Sequence, residues 1–138
     1  MKLGSLVGEL ISSLFKKPVT ITYPATKEST PEGFRGKLVY DSVKCTGCSL
    51  CVKDCPAAAL ELIVLDRANK RFVMRYYADR CTFCEQCVIS CRSEALELSR
   101  DEWELASISR EPLDILYGRE EDIQEVLDRA AKPDPAIP

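Results

Sequence analysis

The N-terminal apolar residues of the chain recur at helical spacing. They are Leu3, Leu6, Val7, Leu10, Ile11, Leu14 and Phe15. Residues three and four apart share one face of an α-helix, so the pattern predicts an amphipathic helix that ends before Pro18. Residues 18–36, with several prolines and glycines, are typical of an extended connector. We therefore expect the apolar stripe to dock on a partner subunit or a membrane surface, with packing on the protein's own core as the alternative.

Short runs of alternating and β-branched residues in the middle of the chain predict four strands. They cover residues 38–40, 60–65, 71–77 and 96–98. A turn at 66–70 joins the second and third strands as a hairpin. The first and fourth strands are expected to pair as a second two-stranded ribbon.

Two further helices are predicted after the last strand. Ser99 and Glu102 have the spacing of a capping box, which predicts a helix through Trp103 and Ala106. A second apolar stripe consists of Ile123, Val126, Leu127 and Ala130. Residues 132–138 have the composition of a mobile tail. These segments are expected either to face a partner or to cover the core.

The four strands belong to an internal repeat with an offset of 36 residues. Residues 40–62 match residues 76–98 at eleven of 23 positions. The identical pairs include Cys45/Cys81, Cys48/Cys84, Cys51/Cys87, Cys55/Cys91 and Tyr40/Tyr76. Each copy reads as a strand, a cysteine loop, a helical turn and a second strand. The duplication predicts an α+β fold with pseudo-twofold symmetry.

Composition narrows the chemistry. The chain has 138 residues, enough for one compact domain, and it contains eight cysteines and no histidine. The absence of histidine excludes Ser-His-Asp catalysis, Cys-His nucleophiles and His-ligated zinc, haem or Rieske centres. No nucleophile with a base and no phosphate-binding loop is evident, so no catalytic residue is predicted.

Charge and hydropathy bear on partners and location. The net charge of −3 divides into +3 over residues 1–44, +1 over 45–91 and −7 over 92–138. Nucleic-acid binding usually needs a concentrated basic surface, so no nucleic-acid partner is expected. Neither a signal peptide nor an apolar run of about 20 residues is evident, so we expect an intracellular protein without a transmembrane segment.

Eight clustered cysteines can be disulfides, zinc ligands, iron–sulfur ligands or redox thiols. Disulfides are rare in intracellular proteins, where clustered cysteines more often hold metal. All-cysteine zinc sites are built from two C-x2-C pairs, which would leave the third cysteine of each triplet without a role. The run from Cys45 to Pro56, C-x2-C-x2-C-x3-C-P, is the bacterial ferredoxin signature.

In a two-run ferredoxin the fourth cysteine of each run binds the cluster of the other run. Three thiolates in a short loop take three corners of a cubane, and the duplicated unit supplies the fourth. The sequence therefore predicts two [4Fe–4S] clusters. One is held by Cys45, Cys48, Cys51 and Cys91, and the other by Cys81, Cys84, Cys87 and Cys55. Arg92 stands where a proline is expected after Cys91. If the Arg92 side chain lies beside a cluster, its positive charge would raise the reduction potential of that cluster. The alternative is an arginine that faces solvent.

Segments outside the repeat resemble those of a known family. They are Tyr23-Pro24, Pro31 and Phe34-Arg35-Gly36 before the cysteines, and Trp103 to Ala106, Ser109 to Glu111 and Leu116 to Glu120 after them. The chain is similar to the two-cluster ferredoxin subunit of respiratory complex I and of energy-converting membrane-bound [NiFe] hydrogenases. It looks most like the small archaeal members, the membrane-bound hydrogenase subunit in particular. Phe83, where the first run has Gly47, is a departure from the repeat.

The resemblance implies a bacterial-type 2[4Fe–4S] ferredoxin fold at residues 37–99. An N-terminal helix and connector would occupy residues 1–36, and an acidic helical extension residues 100–138. It implies a non-catalytic, membrane-associated electron relay on the cytoplasmic side of the cell membrane. Its implied partners are a small cluster-bearing subunit, a catalytic large subunit, a membrane module and a soluble ferredoxin donor. A sulfur-reducing complex, complex I, a soluble ferredoxin carrier and a zinc-stabilised interaction module remain alternatives.

Overall fold

A computed structural model describes residues 4–131. The helices are α1 (Ser5–Phe15), α2 (Leu50–Lys53), α3 (Gln86–Ile89) and α4 (Glu120–Ala131), and the strands are β1 (Leu38–Tyr40), β2 (Leu60–Asp66), β3 (Arg71–Tyr77), β4 (Leu96–Leu98) and β5 (Asp114–Tyr117). A 3-10 turn, Glu111–Leu113, precedes β5. The four predicted strands are confirmed to within one residue. The stripe residue Leu3 and the predicted tail from residue 132 lie outside the described residues.

Two antiparallel ribbons form the centre of the molecule. β1 pairs with β4, so that Tyr40 lies opposite Leu96. β2 pairs with β3, so that Leu60 lies opposite Tyr76. The repeat offset of 36 residues relates the two ribbons. Tyr40 and Leu96 of the first ribbon correspond to Tyr76 and Leu60 of the second. The two predicted pairings are therefore confirmed, and they share one register.

The core lies between the ribbons and the cysteine loops. Its least exposed members include Leu38, Met74 and Tyr76. Side chains two positions apart on a strand point to the same face, so β1 directs both Leu38 and Tyr40 inward. This alternation places apolar strand residues directly beneath the cysteine loops.

The predicted helix through Trp103 and Ala106 is wrong, because residues 99–107 are irregular. One bond of the capping box does form, since the Glu102 N–H donates to Ser99 Oγ at 3.2 Å. Instead, backbone carbonyls of this segment accept hydrogen bonds from residues 36 and 37, at the end of the connector and the start of the predicted ferredoxin domain. Gly36 N–H donates to the Ser99 carbonyl at 2.9 Å, and Lys37 N–H donates to the Glu102 carbonyl at 2.7 Å. Long-range pairing thus replaces the local helix.

The rest of the C-terminal segment joins the hairpin. β5 was not predicted from the sequence, and it adds a third strand to β2 and β3. The predicted helix around Ile123 is confirmed as α4. Asp122 of α4 is 2% exposed and accepts a hydrogen bond from Arg71 Nε at 2.6 Å. An ion pair thus attaches α4 to the start of β3.

The N-terminal helix is confirmed as α1, and its apolar face is exposed. Its large apolar side chains from Leu6 to Phe15 are between 54% and 86% exposed. Packing of this stripe on the protein's own core is therefore not what the structure shows. Across residues 4–131, no helix combines the length and apolarity that crossing a membrane requires.

Candidate metal centres

The eight cysteines line two cavities, four cysteines to each. One cavity is lined by Cys45, Cys48, Cys51 and Cys91. The other is lined by Cys55, Cys81, Cys84 and Cys87. Each therefore collects three cysteines from one run and the fourth cysteine of the other. We call them the first and the second cavity.

Left-handed backbone turns shape both cysteine loops. Gly47 and Ser49 have φ of 70° and 59°, and Phe83 and Glu85, 36 positions later, have φ of 52° and 68°. Positive φ reverses the chain sharply, and it is uncommon for residues other than glycine. Its recurrence at equivalent positions gives both loops the same course, which directs the thiols inward.

Backbone amides donate to several of the thiol sulfurs. The N–H of Gly47 lies 3.4 Å from Cys45 Sγ. The N–H of Phe83 lies at the same distance from Cys81 Sγ. The fourth cysteines repeat the pattern, since Cys55 and Cys91 each accept from the amide four residues later at 3.3 Å. Each loop therefore directs backbone N–H groups at the sulfurs of its own first and fourth cysteines.

Thiol acidity differs within each quartet. Burial raises the pKa of Cys51 and of Cys87 to about 11, so these thiols need a nearby positive charge to ionise at neutral pH. The backbone N–H of Gln86, followed by the Thr82 side chain, lowers the pKa of the exposed Cys84 thiol. Coordinating metal ions deprotonate thiols outright.

The donor set of the cavities fits an iron–sulfur cluster. Thiolate donors select soft metals and iron–sulfur clusters. Each cavity is lined by four thiols, three from one cysteine run and one from the other. Among residues 4–131, no three Cys, Asp or Glu side chains are arranged to hold a single metal ion. Each cavity is also lined by a buried tyrosine, Tyr40 or Tyr76, whose hydroxyl has no hydrogen-bond partner among the described residues. An acceptor inside the cavity would satisfy that hydroxyl.

Several neighbours of the cavities were not singled out as site residues from the sequence. The identity of Tyr40 and Tyr76 in the repeat was the available signal for the buried phenols. Arg35 forms an ion pair with Glu85 at 2.9 Å, beside the second loop. No local pattern marks that contact, since the two residues lie far apart in sequence. Arg92 is exposed and lines neither cavity.

Comparison with known proteins gives the class of this site. A model of the 4Fe-4S dicluster domain matches residues 44–95. The two thiol-lined cavities and the matched cysteine runs define a dicluster iron–sulfur protein, with two [4Fe–4S] clusters as its cofactors. The helices and strands around them agree with the α+β class expected from the sequence.

The relatives give the family. The chain is 40% identical over 114 residues to the chloroplastic NAD(P)H-quinone oxidoreductase subunit I of Adiantum capillus-veneris, covering 80% of this chain and 68% of that protein. It is 40% identical over 76 residues to NADH-quinone oxidoreductase subunit I of Carboxydothermus hydrogenoformans, covering 53% of this chain and 54% of that one. The chain belongs to the subunit I family of NAD(P)H-quinone oxidoreductases. It spans between 34% and 68% of the length of such relatives.

A solved structure shares the fold. The chain aligns with a chain of the membrane-bound sulfane sulfur reductase, an archaeal respiratory membrane complex, at a TM-score of 0.63 and 28% identity. The alignment covers 94% of this chain and 70% of that one. It therefore extends beyond the cysteine runs into the flanking segments.

Proposed function

We propose that this chain is the electron-relay subunit of a membrane-bound, ion-translocating oxidoreductase complex. Its first [4Fe–4S] cluster would be held by Cys45, Cys48, Cys51 and Cys91, and its second by Cys81, Cys84, Cys87 and Cys55. The observation that carries the proposal is the exchange of the fourth cysteine between the two cavities. Family membership supports the electron-transfer role.

The short helices explain why two centres in this protein would work as a pair. α2 contains Cys51, which lines the first cavity, and is followed by Cys55, which lines the second. α3 contains Cys87 of the second cavity and is followed by Cys91 of the first. Each bound cluster would supply a one-electron redox centre, and two short segments, residues 51–55 and 87–91, would link the two centres.

Single serine substitutions test the ligand assignment. Cys51→Ser and Cys91→Ser should alter the same cluster signal in electron paramagnetic resonance (EPR) after anaerobic reduction. Cys87→Ser and Cys55→Ser should alter the other. Iron analysis of the unsubstituted chain should give about eight iron atoms, four for each cluster.

Lys53→Ser is the matched control, because Lys53 lies between Cys51 and Cys55 on α2 and its side chain is exposed. It should leave both signals in place. If Cys55→Ser grouped with Cys51→Ser instead, the exchange of ligands between runs would be wrong. A colourless, iron-free protein binding zinc would remove the electron-relay proposal altogether.

The segment before the repeat is proposed to dock the subunit. Its helix α1 exposes Leu10 and Leu14 by 64% and 80%, and such a stripe is stabilised by burial against a partner subunit or a membrane surface. In this division, residues 1–36 attach the chain, 37–99 hold the clusters, and the acidic residues 100–138 extend the core. A soluble carrier would have no use for the exposed stripe.

Deletion of residues 1–22 tests docking, and substitutions on α1 refine the test. Leu10→Ser with Leu14→Ser should release the chain from its complex or from membranes, while both clusters remain. Ser12→Ala with Ser13→Ala, on the opposite side of α1, is the matched control. Retention of complex association after the deletion would contradict docking through α1 and favour a carrier.

The proposed complex is a ferredoxin-oxidising [NiFe] hydrogenase, on the cytoplasmic side of the membrane. The alternatives are a sulfur-reducing complex, which the fold of the sulfane sulfur reductase chain favours, and a complex I. The proposed partners are a small cluster-bearing subunit, a catalytic large subunit, a membrane module and a soluble ferredoxin donor. Purification from detergent-solubilised membranes would decide. A large subunit with a complete set of nickel-binding cysteines supports the hydrogenase, and one lacking them contradicts it.

A further inference from the structure

Two buried phenols occupy equivalent positions of the repeat in the core. Tyr40 is 9% exposed and Tyr76 is 0% exposed. The hydroxyl of each is buried without a hydrogen-bond partner among the described residues. Buried polar groups are nearly always hydrogen-bonded, and an exception usually marks a ligand or a functional role. Two exceptions at equivalent positions of a repeat call for a common cause.

Each phenol belongs to one cavity. Tyr40, on β1, lines the first cavity together with Cys45. Tyr76, on β3, lines the second together with Cys81. In both cases the tyrosine lies five positions before the first cysteine of the loop, so the repeat places the two hydroxyls in the same relation to their cavities.

The nearest thiols leave both hydroxyls available. Cys45 lines the first cavity with Tyr40, and Cys81 lines the second with Tyr76. Neither hydroxyl forms a hydrogen bond with a described residue, these two thiols included. A phenol can donate as well as accept, so each hydroxyl is free to donate to an acceptor bound in its cavity.

We propose that Tyr40 and Tyr76 each donate a hydrogen bond to a sulfur atom of the cluster bound in their cavity and thereby raise its reduction potential. The inference rests on the proposed cluster assignment. Cluster sulfurs gain negative charge on reduction, so a donor stabilises the reduced form more than the oxidised form. Two matched donors would keep both centres of the relay in the same range of potential.

Tyr117 provides a matched control. Its ring stacks on that of Tyr76 with centroids 6.5 Å apart. Its hydroxyl, however, donates to the Leu38 carbonyl, and the residue lines neither cavity. Tyr117→Phe therefore removes a phenol oxygen from the same aromatic pair without removing a donor to a cluster.

The experiment is an anaerobic EPR redox titration of the complete chain with both clusters bound. Tyr40→Phe should lower the potential of the first cluster only, and Tyr76→Phe that of the second only. The expected change in each equilibrium is of the order of tenfold, or about 59 mV for one electron. Tyr117→Phe should leave both potentials unchanged. Pulsed EPR after exchange into D2O should lose one deuteron coupling in each of the first two variants.

A second measurement does not depend on the variants folding. Growth with 3-fluorotyrosine makes every phenol a stronger donor with little change in shape, and both potentials should rise. If both clusters assemble and neither the Tyr→Phe variants nor 3-fluorotyrosine changes the reduction potentials, the inference is overturned and the proposed electron relay still stands. A chain that binds no iron–sulfur cluster would overturn the proposed function, and the inference with it.

Discussion

The loop that carries Cys45 is covered from within the repeat, whereas the loop that carries Cys81 is covered by segments outside it. Over the first loop lies the ring of Phe72, so close that a Cβ on Gly47 would be 2.5 Å from its Cε1 atom. At the equivalent position of the second loop, Phe83 keeps its side chain and lines an open groove with Tyr23 and Trp103. The two loops share one backbone course and differ in what covers them.

The difference suggests what the flanking segments contribute. Tyr23 comes from the connector and Trp103 from the segment after β4, and their rings lie 6.2 Å apart. Arg35 of the connector pairs with Glu85 in the second loop. Phe72 of the hairpin thus packs on the first loop, whereas the second loop contacts segments that a minimal ferredoxin lacks. Three experiments test that division.

Truncating Phe72, which packs on the first loop, should destabilise the protein more than truncating Trp103, which lies near the second loop. Phe72 is 2% exposed, so Phe72→Ala should destabilise the fold by about 3–5 kcal/mol. Trp103 is 36% exposed, and Trp103→Ala should cost about 1 kcal/mol, since much of its area is already in water. Thermal unfolding of the cluster-bound protein, followed by cluster absorbance, measures both. Equal losses would contradict the division.

A change in side-chain volume should also destabilise the protein more in the first loop than at the equivalent position of the second. Gly47→Ala meets the Phe72 ring and forces a side chain into φ of 70°, with an expected cost of about 2–4 kcal/mol. Phe83→Ala removes a partly exposed ring without creating a clash and should cost about 1 kcal/mol or less. The measurement is again the Tm, with the clusters bound. A tolerated Gly47→Ala would show that the first loop is not tightly covered.

A structural feature of this molecule can be predicted from the sequence when the residues that form it lie close together along the chain. The strands at Leu60 and Arg71 follow from local patterns and a short turn, so they were predicted nearly to the residue. The assignment of the cysteines to two quartets is predicted by the ferredoxin signature and the repeat offset, both of which can be read directly along the chain. By contrast, Ser99 and Glu102 form a local cap bond in a segment that is not helical, because Gly36 and Lys37 pair with it from more than 60 positions away.

β5 and the contact between Phe72 and Gly47 also depend on residues that are distant in sequence. The run Ile115-Leu116-Tyr117 is too short to identify as a strand by itself, and it is defined by pairing with β3. Phe72 and Gly47 are unremarkable as single residues, and only their contact shows why the first loop has glycine. Contacts between distant segments carry no periodic signal, so they had to come from the structure.

A pH-dependent contact attaches the C-terminal segment to β3, the strand that carries Tyr76. Arg75 donates to both carboxylate oxygens of Asp114, at distances from 2.6 to 3.2 Å. Hydrogen bonding from Arg75 lowers the pKa of Asp114 below its usual value. Because the folded state has the lower pKa, this stabilisation is present above about pH 4 and is lost as the pH falls through the folded value.

Asp114→Asn should therefore lower stability by about 1 kcal/mol between pH 5 and 7. The difference from the unsubstituted chain should begin to shrink below about pH 4, where Asp114 of the unfolded chain takes up a proton, and should be lost as the pH falls through the lower pKa of the folded state. Asp79→Asn is the control, since its partner Arg110 is 84% exposed and such pairs contribute little. The readout is the Tm as a function of pH. A difference that persists unchanged at low pH would mean that the Arg75 pair is not its source.

The smallest expected effect concerns electrostatics at the second loop. The Arg35 guanidinium carries a positive charge, and its Nη1 lies 3.5 Å from the carbonyl oxygens of Phe83 and Cys84. Arg35→Gln removes that charge and leaves Glu85 unpaired, so the potential of the second cluster should fall and that of the first should not. Exposed charges contribute about 0–1 kcal/mol, which limits the shift to about 40 mV for one electron.

The matched variant for the first loop is Lys44→Gln. Lys44 directly precedes Cys45, but it is largely exposed and pairs with Asp41 only at 3.9 Å. Its removal should move the potential of the first cluster less than Arg35→Gln moves that of the second, because the lysine side chain is held less closely. EPR titrations of both variants, at low and at high salt, measure the comparison. A larger shift from Lys44→Gln would show that the connector does not set the electrostatics of the second cavity.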